Sequence, residues 1–273
     1  MRKQTSTITT YFVLGGFASL ILLPFIGLIL VSFNARGNRV SGLEIPKPFS
    51  LENYIEVYRR ANFQQTFLNS FLIASIVVIV TLVLSTLCGY AMGTMQFRFN
   101  RFFFYFILLG FVVPVETTIV PLYFTMEKLK ILDTPFAVAL PQLGFFLTFG
   151  VFWMRSFFVT IPKAIIEAAK IDGANSHQIL WRVLLPIAKP AIFTLVVLTF
   201  LWSWNELFLS TILLQSPSKL TAPTGLMAFV GQYTTETGSL AAAAIVLSIP
   251  IVVIYLIFQR QFIRGLLVGS TTG

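Results

Sequence analysis

Charged residues are scarce in this 273-residue chain: they make up 11% of it, whereas 56% of its residues are hydrophobic. Soluble globular domains carry about 25% charged residues, so an ordinary soluble fold is excluded, as is a disordered chain. Several apolar runs approach the length that a helix needs to cross a bilayer, and they lack the alternation of transmembrane β-strands. The composition therefore predicts an all-α membrane protein that crosses the bilayer several times.

Cysteine and histidine each occur once, as Cys88 and His177. A single cysteine excludes an intrachain disulfide, and neither residue can build a cysteine or histidine metal site alone. The sequence also lacks the GxxxxGK[ST] loop that cradles nucleotide phosphates, and it shows no nucleophile–base constellation. We therefore predict no catalytic residue, no metal site and no cofactor bound by this chain.

Negative charge is also in short supply, since 19 Lys and Arg stand against 10 Asp and Glu, a net charge of +9. In a soluble domain this excess would suggest a nucleic-acid partner. Here the basic residues lie at the ends of apolar runs, where they orient a protein in the bilayer. We expect a lipid bilayer around the chain and no nucleic acid.

Six apolar segments are predicted to span the membrane, the first being a retained helix and not a signal peptide. They are residues 11–33, 67–95, 103–126, 135–154, 190–214 and 240–259. The predicted organisation is an N-terminal helix with an external loop over 1–66, a core transmembrane domain over 67–265 and a tail over 266–273.

Prolines and glycines inside these spans carry local predictions. Pro114, Pro121 and Pro141 predict kinks, because proline removes a backbone hydrogen bond from a helix. Gly89 and Gly93 form a GxxxG pattern, which allows two helices in lipid to approach closely. We interpret that pattern as helix packing only.

An even number of spans places both termini on one side of the membrane, which we predict to be the cytoplasm. The inside segments would then hold 11 Lys and Arg and the outside segments 8. This asymmetry has the expected sign but is small, so the positive-inside rule alone does not settle the orientation.

The polar segment 155–189 predicts a helix–turn–helix finger between the fourth and fifth spans. Pro162 suits the first turn of a helix, and Gly173 suits its left-handed end. Asn175 or Ser176 can then cap a second short helix.

The second short helix would place Ile179, Val183 and Ile187 near one face. Pro186 and Pro190 would break the chain before the fifth span begins.

The same segment carries a specific pattern: Glu167-Ala168-Ala169, Gly173 four residues later, and then Leu185-Pro186. This pattern resembles the EAA loop of ABC importer permeases. Asp172 before Gly173 resembles the carbohydrate branch of that family, which includes the maltose-type permeases. The resemblance covers roughly residues 60–265 and implies the fold of a type I ABC importer permease, in the plasma membrane of a prokaryote.

In that family the loop forms a coupling helix that docks on a cytoplasmic ATPase. The resemblance therefore implies coupling roles for Glu167, Ala168, Ala169, Asp172, Gly173 and Pro186. It also implies a second homologous permease, two ATPase subunits that bind ATP and Mg, an external substrate-binding protein and a sugar substrate. This chain would form half of the translocation pathway.

Two acidic residues, Glu116 and Glu206, fall within predicted spans, where a carboxylate usually faces a cavity or a partner. Trp202, Asn205 and Glu206 would share one helix face. An aromatic ring beside an amide and a carboxylate suits a sugar, so these four residues are candidates for the substrate pathway. The alternative is helix packing, with the polar groups bonded to neighbouring backbone.

Three competing functions remain. Permeases for glycerol-3-phosphate or a related polyol belong to the same branch, although the spans contain almost no Lys or Arg to bind a phosphate. An ion-coupled secondary transporter would need no ATPase, but the sequence shows no evident inverted repeat. A membrane protein that transports nothing is the third possibility.

Overall fold

The computed structural model describes residues 2–35, 42–60, 62–231 and 236–270, and the regular elements of this part of the chain are all helical. The principal helices are α1 (Arg2–Ser32), α2 (Glu52–Arg60), α3 (Phe63–Thr94), α4 (Asn100–Leu108), α5 (Val115–Lys128), α6 (Pro135–Thr160), α7 (Lys163–Ile171), α8 (Ser176–Gln178), α9 (Leu185–Trp204), α10 (Phe208–Leu213), α11 (Ala222–Gly225) and α12 (Thr237–Ser270). A π-helical segment, Ile179–Leu184, joins α8 to α9.

Five helical segments among the described residues are long and apolar enough to cross a membrane. They are Thr10–Ser32, Phe63–Thr94, Pro135–Thr160, Ser176–Trp204 and Thr237–Arg260. Asn100–Phe111 and Val115–Lys128 meet at a bend of 95°. They provide a sixth crossing if the two halves are counted as one broken span. The all-α membrane fold is confirmed, with the third predicted span broken in the middle.

The prolines within the spans differ in effect. The third span breaks immediately before α5, whose N-cap is Pro114, so the predicted kink there is confirmed. Pro121 and Pro141 lie inside α5 and α6, which continue past them. A helix tolerates proline in this way when neighbouring groups re-satisfy the carbonyl that loses its donor, which for Pro121 is the carbonyl of Thr117.

The chain forms two compact units, one of residues 1–64 with 224–249 and the other of residues 65–223 with 250–273. In the first unit the buried amide of Asn53 donates to the backbone oxygens of Ser32 and Asn34. Beside it, Val57 and Phe229 form a small apolar core. The predicted boundaries at residues 66 and 265 remain predictions, and the end of the predicted tail lies outside the described residues.

In the second unit, α3 approaches α6 closely at two glycines. A Cβ added at Gly89 would lie 2.7 Å from the Cβ of Met154, and one at Gly93 would lie 3.1 Å from the Cβ of Phe158. Only a residue without a side chain fits at Gly89, so the GxxxG pattern is confirmed as a packing surface. A cluster of buried apolar residues from α3, α6 and the π segment extends this contact into α9.

The finger between α6 and α9 is shorter than the sequence predicts. The expectation that Pro186 and Pro190 break the chain is wrong, because the helical path runs without interruption from Ser176 to Trp204. Pro186 lies in the first turn of α9, directly after the π segment, and Pro190 lies inside α9. Wider π turns accommodate a local fault in the helical hydrogen-bond ladder.

Candidate functional site

The projecting finger consists of α7 and the turn that follows it. Pro162 is the N-cap of α7, and Gly173 adopts a left-handed φ of 80° just beyond its C-terminal end. The amide of Gly173 donates to the carbonyl of Lys170, and the amide of Ala174 donates to that of Ala169. These two bonds form a Schellman motif, which confirms Gly173 as the residue that ends the helix.

The next helix begins with a reciprocal cap. The side-chain oxygen of Asn175 accepts from the backbone amide of Gln178, and the side chain of Gln178 accepts from the backbone amide of Asn175, both at 2.9 Å. This capping box satisfies two amides at the start of the helix. Of the two predicted caps, Asn175 is the one used.

Most of the predicted coupling residues face outward. Glu167, Ala168, Asp172 and Gly173 are exposed, whereas Ala169 is buried against the core of the second unit. Pro186 is also exposed, but it lies in α9 and not in the finger.

Apolar residues line one side of α7, whose exposed charged residues are Lys163, Glu167 and Lys170. Ala164, Ile165, Ala168 and Ile171 are all exposed, and Ile171 is 86% exposed. Their spacing of three and four residues places them along one side of the helix. The finger therefore presents a narrow apolar stripe, and α7 also carries the exposed carboxylate of Glu167 and the ammonium groups of Lys163 and Lys170.

The inner side of the finger is attached to α3 and α6. The hydroxyl of Tyr90 donates to the backbone oxygen of Ser176, directly after the finger, and the indole of Trp153 joins α6 to α9 by donating to the backbone oxygen of Ala191. Ile179 is buried in the same cluster as Ala169. The predicted face is only partly right, since Ile187 is 41% exposed. Tyr90 and Trp153 are anchors that the sequence pattern did not single out.

The predicted helix face of Trp202, Asn205 and Glu206 is wrong, because α9 ends at Trp204. The Asn205 amide donates to the carbonyl of Leu201 at 2.8 Å, and a Glu206 carboxylate oxygen accepts from the backbone amide of Leu209 at 2.7 Å. The structure thus gives both polar side chains a backbone partner at the break between α9 and α10.

The other two pathway candidates differ in their surroundings. Trp202 is 40% exposed and packs against the rings of Phe146 and Phe149. Glu116 is exposed in the first turn of α5, and in the described part of the chain it forms no ion pair or hydrogen bond with Asn205 or Glu206. Their roles in transport stay predictions.

At the N-terminal end of α6, a polar network that no sequence pattern indicated joins two loops. The carboxylate of Asp133 accepts from the backbone amides of Gln215 and Ser216, from the Ser216 hydroxyl and from Lys219. Burial alone would raise the pKa of Asp133, but the hydrogen bonds from Ser216, Gln215 and Lys219 outweigh it and hold the pKa well below its usual range. The only sequence signal was a polar residue in a short loop.

Residues 85–268 match the family described as the binding-protein-dependent transport system inner membrane component. The chain belongs to this family. The matched range contains α7, the capping box and the break after α9. The chain is therefore a multi-pass membrane component of a binding-protein-dependent transport system, that is, a permease subunit of an ABC transporter.

Relatives in the binding-protein-dependent family include sugar permeases. The chain is 31% identical to the arabinooligosaccharides transport system permease protein AraQ of Halalkalibacterium halodurans, over the whole of both chains. It is 32% identical to the trehalose transport system permease protein SugB of Mycobacterium tuberculosis, over 92% of this chain and 93% of that one.

The fold also matches a solved structure. With a TM-score of 0.81 and 24% identity, 96% of the chain superposes on 98% of a chain from a bacterial ABC transporter involved in the import of alginate. The predicted permease fold is thereby confirmed.

Proposed function

We propose that this chain forms half of the translocation pathway of an ABC importer for a sugar or oligosaccharide, with both termini in the cytoplasm. A second, homologous permease would supply the other half. An external binding protein would deliver the substrate, and two ATPase subunits would bind ATP and Mg. The proposal for a sugar is supported by relatives that transport arabinooligosaccharides, trehalose and diacetylchitobiose.

The observation that carries the coupling role is the two-sided finger. Its outer stripe of Ala164, Ile165, Ala168 and Ile171 is exposed outside the long helices, where lipid would not cover it. Small alanines allow a partner helix or groove to approach closely, and Glu167 supplies one charge for pairing with a basic group. An exposed pair of that kind contributes on the order of 1 kcal/mol, so apolar contact dominates the docking.

The inner face explains how docking would move the spans. Because Ala169 and Ile179 are buried in the core of the second unit, a force on α7 acts directly on α3, α6 and α9. Close-packed protein interiors have low compressibility, so they transmit such displacements instead of absorbing them. When the ATPase subunits close on ATP, the finger would carry these helices between inward-open and outward-open arrangements.

The test is ATP-dependent uptake of labelled sugars into proteoliposomes by the complex purified through a tag on this chain. The substrates tested are arabinooligosaccharide, trehalose and diacetylchitobiose. Labelled glycerol-3-phosphate is tested beside them as the alternative, anionic substrate. Glu167→Ala and Ala168→Trp alter the outer stripe without reaching the buried side. Glu127→Ala removes a carboxylate that is also exposed but lies in α5, next to the Asp133 loop.

We expect an ATPase to copurify with the wild type, ATP-driven uptake of a neutral sugar, and loss of uptake in Ala168→Trp but not in Glu127→Ala. Uptake restricted to glycerol-3-phosphate would reject the sugar. Transport that ignores ATP, with no ATPase copurifying under gentle conditions, would reject the importer and favour an ion-coupled transporter.

A further inference from the structure

A basic cleft lies where α3 ends, α4 begins and α6 approaches its C-terminus. Its volume is about 440 Å³, and it is lined by Gln96, Phe97, Phe99, Asn100, Arg101 and Arg155. This lining contains two cations, two amides and two aromatic rings, and no carboxylate. Neither the coupling role nor the substrate pathway makes use of it.

The charge in this cleft has no protein counter-ion among the described residues. The Arg155 guanidinium lies 3.9 Å from the centre of the Phe104 ring, and its Nε is buried without a hydrogen-bond acceptor. Arg101 is exposed, and neither arginine forms an ion pair in the described part of the chain. A partly buried, uncompensated guanidinium is costly, and an anion in the cleft would neutralise it.

The two amides are also set to meet a polar ligand. The Asn100 amide nitrogen donates to the backbone oxygens of Met92 and Met95, which fixes the side chain in the lining. The Oδ1 of Asn100 is buried without a donor. Gln96 is exposed beside it. A ligand that carries hydroxyl groups in addition to its anion would use such amides.

The position of the cleft indicates where that anion comes from. Asn100 begins the first half of the bent helix pair Asn100–Phe111 and Val115–Lys128, which together are apolar enough to cross the membrane. Along α4, Phe102, Phe103 and Phe106 are exposed, which provides an apolar surface leading away from the cleft. A phosphate at the level of Arg101 would therefore be joined to chains that lie on these phenylalanines, as in a phospholipid at the membrane interface.

We propose that this cleft binds the headgroup of an anionic phospholipid of the phosphatidylglycerol type. Arg101 and Arg155 hold the phosphate, and Gln96 and Asn100 receive the headgroup hydroxyls. Because Arg155 lies in α6 five residues before its end, the bound lipid contacts the same helix that leads into the finger. The proposal rests on this cleft and is independent of the sugar and of the ATPase.

The test is native mass spectrometry of the full-length chain, in the complex with which it purifies, titrated with dioleoyl-phosphatidylglycerol or dioleoyl-phosphatidylcholine. We expect the first lipid to bind in preference to the second. Arg101→Gln and Arg155→Gln each weaken its binding on the order of tenfold, because each removes a charge-assisted contact worth about that factor. Arg182→Gln is the matched control, since it removes an exposed charge that does not line the cleft.

Arg101→Gln keeps the experiment decisive even if Arg155→Gln fails to fold, because Arg101 is exposed. Equal affinity for both lipids, or equal binding of phosphatidylglycerol by wild type, Arg101→Gln and Arg155→Gln, would overturn the proposal. A third arm adds inorganic phosphate at millimolar concentration. If phosphate alone displaces the lipid and binds in an Arg101-dependent manner, the site serves a soluble anion and the lipid assignment is wrong.

Discussion

Tyr90 and Ser176 lie 86 residues apart in the sequence, yet the Tyr90 hydroxyl donates to the Ser176 backbone oxygen at 3.1 Å. The bond joins α3 to the first residue of the helix that follows the finger. The Tyr90 ring also contacts Phe158 of α6 edge-on. One side chain thus links the three helices on which the finger rests.

Tyr90→Phe keeps the ring and removes only this bond. We expect the free energy of unfolding to fall by about 1 kcal/mol, and the ratio of sugar transported to ATP hydrolysed to fall as well. Thermal melting in detergent measures the first effect, and sugar uptake measured together with ATP hydrolysis in proteoliposomes measures the second. Tyr105→Phe, at a ring that is 65% exposed, is the control and should change neither quantity.

Gly89→Ala is expected to destabilise the second unit, because its Cβ would lie 2.8 Å from the backbone nitrogen of Arg155, which cannot move aside freely. Gly144→Ala in α6 has no neighbour within 4 Å of its Cβ, and the higher helix propensity of alanine should leave it neutral or more stable. The melting temperatures of the two variants, compared with that of the wild type, test whether α3 packs closely against α6 at Gly89. Equal values would mean that α3 and α6 do not pack as described.

Gly173→Ala places a Cβ on a residue with φ of 80°, although the surrounding space is open. The cost is backbone strain of about 1 kcal/mol, and asparagine, which tolerates this conformation better, should cost less. We expect uptake to follow the order glycine, asparagine, alanine, since the strain changes the direction of the finger. Alanine equal to glycine in transport would contradict a geometric role.

Asp133→Asn tests the loop network through pH. The folded protein lowers the pKa of Asp133 below its ordinary value of 3.8, so its stabilising effect is present at neutral pH and is lost as the pH falls through the folded value. The variant should be less stable than wild type at pH 7, by about 2 kcal/mol for bonds to a charged group. The gap in melting temperature should narrow below pH 4, and a gap that does not change with pH would exclude this mechanism.

Glu206 can be tested for a structural role and a pathway role at once. Its carboxylate accepts from the Leu209 amide, and Gln retains an acceptor oxygen at that place whereas Ala does not. If the role is structural only, Glu206→Gln should melt and transport like wild type while Glu206→Ala loses stability. A Gln variant that melts normally but transports poorly would place the charge in the substrate pathway.

The sequence by itself was sufficient for the membrane class, most of the span positions and the local form of the finger. Apolar runs of bilayer length can be satisfied only by helices, because every backbone group in lipid must be bonded within the segment. Gly173 was predicted correctly, and Asn175 is one of the two predicted caps, since both effects are local: a left-handed residue ends a helix, and a side-chain oxygen begins one.

Tertiary structure decided the rest. The end of α9 at Trp204 and the bonding of Asn205 and Glu206 to nearby backbone could not be read from an apolar run, because a continuous helix would have the same composition. Asp133 meets Ser216, and Arg155 meets Phe104, only after α4, α5, α6 and α10 have packed, across separations of 83 and 51 residues. Such contacts depend on which helices lie side by side, and no local propensity encodes that.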